Sequence, residues 1–273
     1  MNTQPQPRLS PAREGGGGVS GTAPGGTAGI DELYANPYLA SLYDRLQPRH
    51  LRGDFDFYLP MIHEAQSVLD VGCGTGSLLR EAHAGGHAGR LCGLDPAESM
   101  LRIARQYDGV EWLSGVLADC GFTEQFELIV MTGHAFQAIV EDEELATLLH
   151  SVREALVPGG CFAFETRNPD ARVWERWAQE GPDRLIEPDG RTLQVTTRVT
   201  VPFDGRCVTF VETFEGDHPG LPATSCSTLR FMEHHALCDL LKQTGFRISE
   251  QYGDFRRNPV GPHAPEIITL ARR

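Results

Sequence analysis

The chain has 273 residues, a formal net charge of −13 and seven scattered cysteines with no C-x-x-C pair. Its acidity, with no Lys/Arg cluster interleaved with aromatics, excludes a track for a polyanion, so neither DNA nor RNA is expected as substrate or partner. Reduced, buried thiols are expected in place of disulfides or zinc, and no segment reads as a membrane span or a secretion signal, so the expected compartment is the cytoplasm. Residues 1 to about 30, with four consecutive glycines from Gly15 to Gly18 and almost no large apolar groups, read as a disordered tail. From Ile30 onward Tyr34, Tyr38, Leu39, Leu42, Tyr43 and Leu46 recur at helical spacing, interrupted at Asn36-Pro37, and Asp54 to Ala65 repeats the pattern. Residues 31–66 therefore form an expected N-terminal helical cap.

The next stretch dominates the chain. Ser67 to Val71 is an apolar strand that runs into Gly72-Cys73-Gly74-Thr75-Gly76 and out into a helix from Ser77 to Gly85-Gly86. A strand, glycines and a helix in that order present free backbone N–H groups to a ligand, and the glycines let it approach the main chain, which points to a nucleoside ligand. A dinucleotide fingerprint would need glycine where Ser77 stands, and here a carboxylate, Asp70, sits two residues before the first glycine. A dinucleotide stays as the alternative. Leu91 to Asp95 is a second apolar strand ending in a carboxylate about twenty residues beyond the loop, where an acceptor-only group can take both ribose hydroxyls. Pro96 at the first helical position with Glu98 three residues after Asp95 also makes Asp95 a helix cap.

Trp112 to Leu117 reads as a third strand, followed by Ala118-Asp119-Cys120, and Phe126 to Met131 as a fourth, opening into Thr132-Gly133-His134-Ala135-Phe136-Gln137. Glu141 to Leu156 is an amphipathic helix with acids in its first turn and Pro158-Gly159-Gly160 as its stop, and Cys161 to Thr166 is strand five. Residues 168–231 are too long for a connection, and their alternating runs around 193–201, 208–214 and 225–231 read as a small three-stranded antiparallel lid. A helix over 233–244 and strands over 247–252 and 266–271 close the chain. His234, His235 and Cys238 have helical spacing but lack further ligands nearby, so no metal site is expected.

The pattern D-x-G-x-G-x-G, with Asp95, Asp119 and the "PGG" strand downstream, resembles the class I S-adenosylmethionine-dependent methyltransferases from about Tyr34 to the C-terminus. That resemblance implies an α/β, Rossmann-like, seven-stranded, mostly parallel sheet with an antiparallel last strand. It implies cofactor contacts at Tyr43, Asp70, Gly72, Cys73, Gly74, Gly76, Asp95, Pro96, Met100, Asp119, Cys120, Thr132 and Gly133, with the Asp119-Cys120 turn on adenine. The antiparallel insertion is similar to the lid of small-molecule enzymes such as glycine N-methyltransferase and the amino-sugar N-methyltransferases, and [DN]-P-P-[FY], used for amide and base nitrogens, is absent. A small soluble methyl acceptor follows, with methyl transfer to O or N. His134, at the end of strand four, is the candidate general base. Tyr34, Tyr38, Gln137, Arg167, Tyr252 and Arg256 are the candidate substrate contacts. A nicotinamide oxidoreductase and a cofactor-binding protein without transfer activity remain as alternatives.

Overall fold

The computed structural model describes residues 29–273 apart from 178, 180 and 188, so the expected tail lies outside the described residues as far as residue 28. The chain opens with helices α1 (Glu32–Ala35), α2 (Pro37–Leu46) and α3 (Gly53–Glu64). Asn36 makes the break between the first two: its Oδ1 accepts from Tyr38 N at 2.9 Å and Leu39 N at 3.3 Å, while Pro37 takes the first helical position, where no N–H is needed.

Strands β1 (Ser67–Val71), β2 (Arg90–Asp95), β3 (Glu111–Ser114), β4 (Phe126–Met131) and β5 (Leu156–Arg167) pair in parallel. Strands β10 (Arg247–Tyr252) and β11 (Glu266–Arg272) add an antiparallel edge, giving the order β3-β2-β1-β4-β5-β11-β10. The order reverses between β1 and β4, and ligands of open parallel sheets bind at the carboxyl ends beside such a switch point. Alternation along the strands feeds two cores. Leu69, Ile129 and Phe162 meet Leu145, Leu149 and Val152 of α6 (Asp142–Ala155) and Leu237 and Leu241 of α8 (His234–Gln243). Val68, Val130 and Ala163 meet Phe57, Tyr58 and Ile62 of α3 and Leu79 of α4 (Ser77–Ala84) on the other face.

Several boundaries differ from the sequence reading. β3 stops at Ser114, because Gly115 turns the chain at φ 133° and Leu117–Asp119 forms a 3-10 turn. Pro158-Gly159-Gly160 lies within β5, with Gly159 at φ 79°; the register jumps from Phe126↔Leu156 to Leu128↔Cys161, so the glycines absorb a bulge. α5 (Glu98–Ala104) starts two residues after Pro96, with Ala97 as its cap. The region between β5 and α8 contains α7 (Trp174–Trp177) and a separate antiparallel sheet of four strands, not three: β6 (Asp183–Ile186), β7 (Thr192–Val201), β8 (Cys207–Gly216) and β9 (Ala223–Arg230). The extra strand, β6, is too short and too polar to alternate. This sheet docks by two apolar clusters: Leu193, Val195 and Phe214 against Leu39 and Leu42 of α2, and Val208 and Phe231 against Trp174.

Candidate active site

The loop between β1 and α4 is held from both sides. The N–H groups of Gly72 and Cys73 donate to Leu94 O at 2.8 and 3.1 Å, and Gly74 N donates to Asp95 Oδ2 at 2.8 Å. Gly76 sits at φ 75°, and a Cβ there would come 2.2 Å from the Trp112 indole, so both backbone and packing demand glycine. Met100 supports the loop from below, its methyl 3.3 Å from where a Gly74 Cβ would stand. Asp95 Oδ1 also accepts from Ala97 N at 2.7 Å. The expected helix start at Pro96 fails for this reason: the Asp95 carboxylate turns the chain toward Ala97, leaving Pro96 exposed in the turn.

A crevice of about 30 Å³ opens beside this loop, lined by Tyr43, Arg52, Asp70, Gly72 to Thr75, Ser77, Leu78, Thr132 and Gly133. The candidate cofactor residues Tyr43, Asp70, Gly72, Cys73, Gly74, Thr132 and Gly133 thus meet at one place. Asp95, Met100 and Gly76 brace them from behind. Pro96, Asp119 and Cys120 stand outside the crevice, with Asp119 exposed at the end of its 3-10 turn and the Cys120 thiol directed to Val116 O at 3.6 Å.

Asp70 is 1 % exposed and its Oδ1 has no hydrogen-bond partner, so burial pushes its carboxyl up to about 8 despite the Arg52 guanidinium nearby. An orphaned carboxylate oxygen at a glycine-lined crevice fits the ammonium of an amino-acid group. Arg52, which the sequence reading missed, fits the matching carboxylate: it is clamped on Asp54 at 2.7 Å and lies 4.5 Å over the Phe55 ring. No motif marks it, because its position comes from the turn that precedes α3.

Beyond Gly133 a second polar group gathers on the ends of β4, β5 and β11. His134 adopts φ 63°, and its N–H donates to Glu165 Oε1 at 3.1 Å; Glu165 Oε2 accepts from the Tyr58 hydroxyl at 2.5 Å. The His134 Nε2 lies 2.9 Å from Glu266 Oε2. Burial holds His134 unprotonated, down to about 3, with Arg167 adding to the effect, and raises the Glu266 carboxyl to about 8. Glu266 and Arg167 are register partners between β11 and β5, and the Arg167 guanidinium lies 5.4 Å over Trp177.

The other candidate substrate contacts separate. Gln137 is 1 % exposed with both its amide nitrogen and oxygen engaged, donating to Arg230 O at 2.7 Å and accepting from Arg167 N at 3.0 Å, so it joins strand ends and does not face a substrate. Tyr38 stacks on His218 at 3.5 Å and donates to Glu187 at 2.8 Å, fastening α2 to the antiparallel sheet. The Tyr252 hydroxyl is on Glu250 and its ring packs on Phe57, while Arg256 is exposed. Both lie on the edge strand side, away from the crevice. Tyr34 and Arg167 lie nearer, just beyond the crevice lining: Tyr34 is edge-on to Tyr43 at 5.9 Å, and Arg167 is within reach of the charges of both tyrosines.

The methyltransferase domain family model matches residues 68–160, the span from β1 to the bulge of β5. The 2-phytyl-1,4-naphtoquinone methyltransferase of Thermosynechococcus vestitus is 30% identical over 165 residues, covering 56% of this chain and 72% of that protein. The cypemycin N-terminal methyltransferase of a Streptomyces species is 28% identical over 219 residues, 77% of this chain and 84% of the other. A sugar N-methyltransferase from a Streptoalloteichus species superposes with a TM-score of 0.68 at 18% identity over 93% of this chain and 98% of that one. An amino pentose methyltransferase from Micromonospora echinaspora, solved with S-adenosylmethionine bound, gives 0.63 at 20% identity over 85% and 95%. The chain belongs to the class I S-adenosylmethionine-dependent methyltransferases. It is an enzyme whose cofactor is S-adenosylmethionine, which sets aside the nicotinamide and non-catalytic alternatives.

Because Asp95 both braces Gly74 and carries free lone pairs, Asp95→Ala is expected to weaken binding of S-adenosylmethionine and its demethylated product by about 1.5–3 kcal/mol. Calorimetric titration checks this, and unchanged affinity for either ligand would remove Asp95 from the cofactor site.

Proposed function

We propose that the enzyme transfers methyl to an O or N atom of a small soluble molecule enclosed between the carboxyl ends of β4 and β5 and the antiparallel sheet, with His134 as the base. The observation that carries this reading is a set of side chains, Tyr34, His134, Arg167, Glu212 and Glu266, that lie deep in the protein yet keep partial solvent access. Groups surrounded by protein but still wetted support an internal chamber between these elements. Residues 168–231 then act as its lid and α1 and α2 as its wall.

S-adenosylmethionine supplies an electrophilic methyl and its own leaving group, so the chain's residues need only align the acceptor, exclude water and take a proton. His134, its Nε2 2.9 Å from Glu266 Oε2, is placed for the last task and becomes able to take a proton once Glu266 has ionised. The net charge of −13 supports the exclusion of nucleic acid. Seven free cysteines support a cytoplasmic site of action, and no helix among the described residues is long and apolar enough to cross a membrane. The test is incubation of the purified enzyme with methyl-labelled S-adenosylmethionine and separate pools of small amines, small hydroxyl compounds, RNA, DNA and proteins. Label is expected in a small-molecule pool; transfer confined to a macromolecule would overturn the proposal.

A further inference from the structure

The face of the antiparallel sheet that packs on α2 and α7 is apolar at both ends and acidic between them. Phe214 packs with Leu39 and Leu42 of α2, and Phe210 lies 5.0 Å from Trp177. The two-residue period of β8 therefore puts Glu212 on the same inward face, between two aromatic anchors. Its cross-strand neighbours are Thr197 and Ser225, and Ser225 Oγ accepts from Leu33 N at 3.0 Å. Ser227 donates to Asp31, so the start of α1 is tied to the sheet beside Glu212.

This arrangement leaves negative charge without a counterpart. The Glu212 carboxylate has no hydrogen-bond or ion-pair partner among the described residues, and the charges that act on it belong to Asp31 and Asp183, both acidic. Burial first, and those neighbours second, raise its carboxyl to about 7, and burial raises Asp31 as well. Tyr34, on α1, is an independent sign: it is half-buried, lies within reach of the charges of Asp31 and Glu212 on one side and Arg167 on the other, and its hydroxyl has no hydrogen-bond partner among the described residues. A hydroxyl and a carboxylate that face one partly wetted space without a protein partner have hydrogen-bonding capacity to offer a ligand.

We propose that Glu212, with Asp31 and the Tyr34 hydroxyl beside it, holds a positively charged group of the methyl acceptor, so that the acceptor is a basic amine. This inference rests on the small-molecule reading of the chamber. It separates this enzyme from relatives whose acceptors are neutral, because an uncharged acceptor would leave Glu212 desolvated and unpaired.

The test reads binding, not turnover. Enzyme saturated with S-adenosylhomocysteine is titrated at pH 8 with 1,4-diaminobutane and with its uncharged counterpart 1,4-butanediol. The diamine is expected to bind at least tenfold more tightly than the diol, and Glu212→Gln is expected to weaken the diamine by about ten- to hundredfold while leaving the diol and S-adenosylhomocysteine unaffected. Asp31→Asn should weaken the diamine in the same direction, which keeps the test sound if Glu212→Gln folds poorly. Equal binding of diamine and diol, no diamine binding, or undiminished diamine binding in folded variants would overturn the cation site. Diamine binding that depends on Glu212 with label transferred only to a macromolecule would overturn the small-molecule reading instead and leave the cation site standing.

Discussion

Replacing His134 by alanine is expected to lower kcat by about 10²–10⁴ with S-adenosylmethionine affinity intact, the loss for removing a positioned general base. The position is built with care. A non-glycine residue in the left-handed region costs about 1–2 kcal/mol, and here Glu165, 0 % exposed, accepts the His134 N–H and is itself fixed by the Tyr58 hydroxyl. The ring is thereby set against Glu266. Burial disfavours charge on both partners, so histidine and carboxyl share their protons as a unit, with the carboxyl raised to about 8 and the imidazole lowered to about 3. The pair is ready to accept a proton only after Glu266 has lost its own. The sign follows: kcat should rise with pH through about 8. Glu266→Gln, which cannot ionise, should flatten that rise. A His134→Ala variant that loses cofactor affinity instead would make His134 a binding residue, and a pH profile unchanged by Glu266→Gln would detach the pair from the chemistry.

The candidate cofactor half of this site is written in short range, which is why the sequence exposes it. Asp70, the three glycines and Asp95 are each fixed by a strand end or a turn within a few residues, and the spacing between them follows from strand, loop and helix lengths. The sheet order is legible for the same reason: apolar strands alternating with amphipathic helices leave few topologies. The acceptor half depends on contacts that span the chain. Glu266 meets His134 across 132 residues and Tyr58 meets Glu165 across 107, and neither carboxylate belongs to a motif. Gln137, Tyr38 and Tyr252 illustrate the opposite error. Each is a polar or amphipathic side chain near the right element, yet each spends its polar atoms on a structural partner, Arg230, Glu187 and Glu250, that sequence spacing does not reveal. Glu212 is hidden from the sequence because alternation within a strand shows which face it occupies but not what that face meets.

Asp70→Asn is expected to stabilise the cofactor-free protein while weakening S-adenosylmethionine binding. Burial raises the Asp70 carboxyl to about 8 from its ordinary value of 3.8, with Asp95, Glu165 and Asp54 reinforcing the rise and Arg52 opposing it. Between those two values the folded chain holds a proton that the unfolded chain has released, so this group's contribution is fully favourable below 3.8 and is lost as pH rises through about 8. At pH 7 the cost is at most about 4 kcal/mol, since a tenfold change in proton affinity is worth about 1.36 kcal/mol. Asparagine removes the titration but keeps a buried polar group, so only part returns: a rise of about 2–4 °C in Tm, the response to roughly 1 kcal/mol in a domain of this size, growing as pH goes from 5 to 8. If the cofactor's ammonium lies beside Asp70 Oδ1, the balance reverses in the complex, because the ammonium draws the carboxyl back to its charged form. Binding at pH 7 should therefore release a proton in the wild type and none from this position in Asp70→Asn, seen as a binding enthalpy that varies with the ionisation enthalpy of the buffer. A variant that binds S-adenosylmethionine as tightly as wild type would show that the orphaned oxygen is not where the amino-acid end of the cofactor is held, and one less stable than wild type at pH 8 would show that the Asp70 carboxyl is not raised in the folded chain.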